Sequence, residues 1–99
     1  MSQTVTRTIR LSPADNVVVA RAALRADTRV EEEALTTLDS IDPGHKVATQ
    51  AISKGDTIRK YDQIIGIAET DILPGQHVHT HNLRMDNFDR DYRFSESVR

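Results

Sequence analysis

Three of the four histidines in this 99-residue chain fall within five positions, in the run Gly75-Gln76-His77-Val78-His79-Thr80-His81-Asn82. Imidazole is the side chain whose charge changes near neutral pH, and when neutral it is a ligand for transition metals. If residues 76–82 form a strand, His77, His79 and His81 share one face, with successive Cβ atoms roughly 6–7 Å apart. That spacing lets two rings bind one metal ion, or lets one ring bind and another transfer a proton. It also fits a polar, solvent-facing strand edge, and the pattern does not choose among the three. Val78 and Thr80 occupy the opposite face, so the histidine face is expected to line a cleft or an interface. No Asp or Glu lies within the strand; Asp71 and Asp86 only flank it.

The fourth histidine, His45, follows the turn signal Asp42-Pro43-Gly44 and precedes Lys46. A His-Lys pair at a turn can present a cation to an anionic ligand, or be an exposed loop pair. Asn82, directly after the histidine run, can hydrogen-bond a hydroxyl-rich ligand. Lys54 reads as solvated. The sequence contains no nucleophile motif, no glycine-rich phosphate loop and no paired-carboxylate signature.

The elements that must position these residues read as short strands. Thr4 to Leu11 is a half-buried strand by its β-branched content, followed by turn chemistry at Ser12-Pro13-Ala14-Asp15-Asn16. Val17-Val18-Val19-Ala20 is an unbroken apolar run that predicts a strand buried on both faces. Residues 21–29 fit a helical turn or a loop. Glu31-Glu32-Glu33 reads as a solvated edge or loop, Leu35 to Leu38 as a short strand, and Lys46 to Ile52 as a strand or a short helix. The segment Ile52-Ser53-Lys54-Gly55-Asp56-Thr57-Ile58 is echoed at Ile72-Leu73-Pro74-Gly75-Gln76-His77-Val78. Each glycine can supply a positive φ in a tight turn before the chain re-enters a strand. Between them Gly66 interrupts Ile64-Ile65-Gly66-Ile67-Ala68, which marks a bulge or a close backbone approach. Together these predict a mostly β, pseudo-twofold domain with short helical turns.

Length allows one domain. The chain has no cysteine and a formal net charge of −2, with two Phe, two Tyr and no Trp. This excludes a thiolate metal site and disfavours nucleic-acid binding, which needs a basic surface and stacking platforms. No apolar run is long enough to span a membrane, and Met1-Ser2-Gln3-Thr4 does not open a signal peptide, so a cytoplasmic address is expected. The division expected is a domain over 1–84 and a polar tail over 85–99. The tail's Phe88, Tyr92 and Phe94 would lie on the domain surface or dock on another chain.

Several stretches, in order, resemble the N-terminal domain of the altronate/galactarate dehydratase family. They are Asp15-Asn16-Val17-Val18-Val19-Ala20, Gly44-His45-Lys46-Val47-Ala48, Ile52-Ser53-Lys54-Gly55-Asp56, Ile64-Ile65-Gly66-Ile67-Ala68, the histidine run through Asn82, and Asp91-Tyr92-Arg93-Phe94. The resemblance implies a SAF-type β-clip fold. It implies a family that removes water from sugar acids such as altronate or galactarate with a divalent metal, typically iron. It also implies a small subunit beside a large catalytic subunit, with the metal carried by the complete enzyme and none necessarily by this chain alone. A sulfolactate sulfo-lyase small subunit resembles the same layout, and a free-standing binding or assembly module, self-associating in isolation, is the other class left open. Under the dehydratase reading, His79 and His81 are candidate catalytic acids. His45, Lys46, His77 and Asn82 are then candidate contacts to the hydroxy-acid substrate.

Overall fold

The computed structural model describes residues 6–85; of the tail expected over 85–99, residues 86–99 with all three of its aromatics lie outside the described residues. The strands are β1 (Thr8–Ile9), β2 (Val17–Ala20), β3 (Arg29–Val30), β4 (Leu35–Thr36), β5 (Lys46–Ala48), β6 (Thr57–Lys60), β7 (Gln63–Ala68), β8 (His77–Val78) and β9 (Leu83–Arg84). Helix is confined to one 3₁₀ turn over Glu31–Glu33 among the described residues. The strands form three antiparallel sheets, ordered β1-β2-β5-β8, β3-β4 and β6-β7-β9. The mostly β expectation holds. Among the described residues no helix is long and apolar enough to cross a membrane.

Burial on both faces of β2 follows from its position between two apolar clusters. Val17 packs with Ala48, Ile52, Ile58, Ala68, Ile72 and Val78. Val18 and Ala20 pack with Leu24, Val30, Leu35, Ile41 and Val47 on the other side. Successive strand residues project to opposite faces, so a strand between two cores must be apolar throughout.

The internal repeat is fourfold where the sequence pattern suggested two copies. Leu24–Val30, Ile41–Val47, Ile52–Ile58 and Ile72–Val78 each run from a bridge through a tight turn into a strand. The first and last residues of all four are buried. The fourth position has positive φ in each: Asp27 (66°), Gly44 (82°), Gly55 (92°) and Gly75 (90°). Its N–H donates to a carbonyl outside the loop: Thr37, Ala20, Ala68 and Ala48, at 2.7, 2.9, 2.9 and 2.8 Å. Bridges join the loops in pairs, Leu24 to Ile41 and Ile52 to Ile72. The copy at 24–30 is disguised because Asp27 stands where the others have glycine. It also settles residues 21–29 as loop, bridge and the start of β3 rather than helix.

One other local reading changes. The acidic run is not merely solvated: Glu32 accepts from the Arg7 and Thr8 amides and the Thr8 hydroxyl at 2.7–2.9 Å. Glu33 meanwhile pairs with Arg10 at 2.8 Å. The 3₁₀ turn thus clasps β1 onto the domain. Buried Asp15 accepts the amides of Tyr61 and Asp62 at 2.8 and 2.7 Å. Both residues have positive φ, 58° and 59°. They form the two-residue turn of the β6–β7 hairpin, a conformation that ordinary L-residues adopt only when held there. Gly66 is a close approach: a Cβ there would stand 2.7 Å from the Leu83 side chain.

Candidate functional site: a histidine cluster between β5 and β8

The register of β5 and β8 brings the histidines together. Val47 pairs with His77 and Lys46 with Val78. Continuing that antiparallel register by one residue sets His45 opposite His79, and their rings stack with centroids 4.2 Å apart and planes 17° from parallel. His77 stacks on both, at 5.1 Å from His45 and 5.5 Å from His79. The His81 ring lies 5.2 Å from that of His77, tilted by 35°. All four imidazoles therefore form one cluster. The sequence pattern had joined only three of them.

The expected strand over 76–82 is shorter than its alternation suggested. It ends at Val78, and residues 79–82 form a tight turn. The cause is Asn82, which is 2% exposed. Its side chain accepts the His79 amide at 2.9 Å and donates to the His77 carbonyl at 2.8 Å. The Asn82 and Leu83 amides both donate to the His79 carbonyl, at 3.1 and 2.9 Å. Backbone groups that a longer strand would leave for a neighbour are satisfied inside the turn. Asn82 thus lies beneath the histidines as their scaffold, and its amide is committed to backbone. On the open edge of β8, the His77 amide donates to Asp39 Oδ2 at 2.9 Å, an anchor that sequence reasoning missed.

Lys46 departs from its chain neighbour. Its register partners are Val19 and Val78, so the pleat sends it to the other face from Val47 and His77. It is half-buried near Lys60, and burial together with that second charge holds its ammonium below the usual lysine range. Its charge is still felt at His79.

Electrostatics favour the neutral form of His77 and of His79. His77 is held below the ordinary imidazole range by burial first and then by His81, His45 and His79, with Asp39 opposing. His79 is lowered by loss of hydration, then by His45, Lys46 and His81, with Asp42 opposing. His45 Nδ1 and His77 Nε2 lie 2.9 Å apart, a hydrogen bond that requires one N–H and one free lone pair. One ligand nitrogen from each of His45, His77 and His79 falls within 4.8 Å of the other two. Three imidazoles are a donor set suited to iron, zinc, cobalt, nickel or copper. The signal that could have found His45 is the Ile-x-x-Gly-x-x-Val spacing of 41–47. It repeats that of 72–78 and delivers both loops to adjacent strands.

Residues 6–86 match the family described as the altronate/galactarate dehydratase SAF domain. The chain is 40% identical over 89 residues to the altronate dehydratase of Escherichia coli (strain K12), covering 87% of this chain and 18% of that protein. It is 36% identical over 78 residues to the altronate dehydratase of Bacillus subtilis (strain 168), covering 77% of this chain and 16% of that protein. A third relative is the (2R)-sulfolactate sulfo-lyase subunit alpha of Paracoccus pantotrophus, 48% identical over 50 residues, covering 50% of this chain and 75% of that subunit. The chain thus spans less than a fifth of the length of the two dehydratases it matches. Across nearly all of its described length, and by direct similarity to members, this chain belongs to the altronate/galactarate dehydratase SAF domain family.

Proposed function

We propose that this chain is the SAF unit of a hydroxy-acid lyase of the dehydratase type, supplying one wall of an active site that a larger catalytic subunit completes. The observation that supports it is the gathering of four imidazoles, from two separate loops, at one edge of the β1-β2-β5-β8 sheet. The small share of the dehydratases that the chain covers supports a catalytic region beyond these residues.

Dehydration of a 2,3-dihydroxy acid removes the C2 proton, breaks the C3–O bond and protonates the departing hydroxyl. The resulting enol returns to a 2-keto-3-deoxy acid. Lys46, on the other face of β5 from His77 but near Lys60 and within electrostatic reach of His79, is the cation proposed to hold the substrate carboxylate from that side. His81, exposed and outside the close trio, is suited to give its proton to the leaving oxygen, whereas His79 is stacked within the trio. Asn82 acts as a positioning residue, fixing the turn that carries His79 and His81. The divalent metal implied by the family, iron above all, fits His45, His77 and His79. When bound there it would supply Lewis acidity toward a carboxylate or hydroxyl oxygen.

Turnover by the complete enzyme containing this chain, offered altronate and sulfolactate in parallel, tests the reading. Altronate turnover is expected, and His81→Gln should lower it by at least about 10²-fold with unchanged circular dichroism. Turnover of the variant within about twofold of the parent would remove His81 from the chemistry. Preference for sulfolactate would favour the second reading, a sulfo-lyase subunit, which the 48% identity to one supports.

A further inference from the structure

We infer that His45, His77 and His79 bind a divalent transition-metal ion on this chain alone, before any larger partner is present. This deepens the lyase reading but stands on the geometry of the trio. Two nitrogens on one metal at bonds of about 2.1 Å and right angles stand about 3.0 Å apart. His45 Nδ1 and His77 Nε2 already stand 2.9 Å apart. One ligand nitrogen of each of His45, His77 and His79 lies within 4.8 Å of the other two. The His79 ring is stacked on that of His45, so binding the ion requires it to turn out of the stack and aim its lone pair at the metal.

The surroundings are those of a ligand site rather than of structural histidines. A buried structural imidazole usually gives its N–H to a carbonyl or carboxylate. Among the described residues, the hydrogen bond made by the rings of His45 and His77 is to each other. A metal ion can replace the proton shared between two such nitrogens. The backbone beneath is fixed at three points: Asp39 on the His77 amide, Asn82 on the His77 carbonyl, and Asn82 on the His79 amide. Metal sites depend on such supports to hold their ligands in orientation. Three protein ligands leave coordination positions open, as catalytic rather than purely structural sites do.

The test uses the full 99-residue chain, stripped with chelator and titrated with Co²⁺ under visible absorption and calorimetry, with no substrate or partner present. One equivalent is expected to bind and to raise the melting temperature. His45→Ala and His79→Ala should each weaken binding at least about tenfold, while His81→Gln binds as the parent does. Should a variant fail to fold, Zn²⁺ added to the parent chain is expected to shift the imidazole resonances of His45, His77 and His79 together. No binding by the folded chain, or binding that survives both alanine variants, overturns the assignment. Metal binding that persists while the complete enzyme turns over neither hydroxy acid would instead sink the lyase reading alone.

Discussion

His45 and His79 stack with ring centroids 4.2 Å apart, although one follows the Pro43-Gly44 turn and the other leaves the end of β8. Neither residue is placed by its own local sequence. Each is delivered by a loop of the same design, with a buried Ile at its start, a positive-φ glycine at its fourth position and a buried valine in the strand beyond. The site is a product of the repeat: two copies lay their strands side by side, and the residues at the strand mouths meet.

Asn82 should matter more for folding than its small side chain suggests. Asn82→Ala leaves the His77 carbonyl and the His79 amide without partners inside a tight turn. A cost of about 1–3 kcal/mol is expected, measured by urea unfolding. A side chain whose sole role was substrate contact would leave the unfolding midpoint unmoved.

The three repeat loops that carry glycine should differ sharply in tolerance. At Gly44 and Gly55 an added Cβ meets open space, so alanine there carries only the left-handed backbone penalty of about 1–2 kcal/mol. At Gly75 a Cβ collides with the Thr36 carbonyl oxygen, with the carbonyl carbon at 3.1 Å and the Leu38 nitrogen at 3.4 Å. Those neighbours are backbone and cannot rotate away. Gly75→Ala is expected to cost about 1–3 kcal/mol beyond the other two, read from a set of three thermal melts.

Glu32 gives the fold an acid-sensitive clasp. Burial works to raise its carboxyl pKa. The hydrogen bonds from its own backbone, the Thr8 hydroxyl and the Arg7 and Thr8 amides outweigh that, so the group sits below the ordinary glutamate range. A carboxylate depressed on folding contributes stability that is present above its unfolded value and lost as pH falls through its folded one. Melting temperature of the chelator-treated chain should therefore fall below about pH 4.5. In Glu32→Gln, part of that fall should be absent, the variant being already less stable at neutral pH.

Lys46 should act on binding rather than on the chemical step. Lys46→Met keeps the apolar stem but removes the charge that would meet a substrate carboxylate. A lost charge-assisted contact of about 1.5–3 kcal/mol corresponds to a KM raised by roughly 10- to 100-fold, with kcat little changed. Steady-state kinetics of the complete enzyme on its hydroxy acid would show it. A fall in kcat at constant KM would move Lys46 into the chemistry.

Much of this was legible in the residues. The doubly buried β2 follows from its unbroken valines, and Gly66 as a point of close approach follows from its place in an apolar strand. The histidine run announced itself by type and spacing. What was not legible depended on partners distant in sequence. The joining of His45 to the cluster needed the pairing of β5 with β8. Termination of β8 at Val78 needed Asn82 to fold back on His77 and His79. The role of Glu32 needed β1 to arrive beside the 3₁₀ turn. Asp27 hid one copy of the repeat by adopting, as a non-glycine, the conformation that the other three give to glycine.

The central claim is that the histidines act as one site, and a double-mutant cycle on turnover tests it most directly. In the complete enzyme, His45→Ala, His79→Ala and the double variant would be compared by kcat/KM. Residues working as one unit are strongly non-additive. The account predicts a large loss in each single variant and little further loss in the double. Losses that multiply, or single variants that turn over as the parent does, would contradict it.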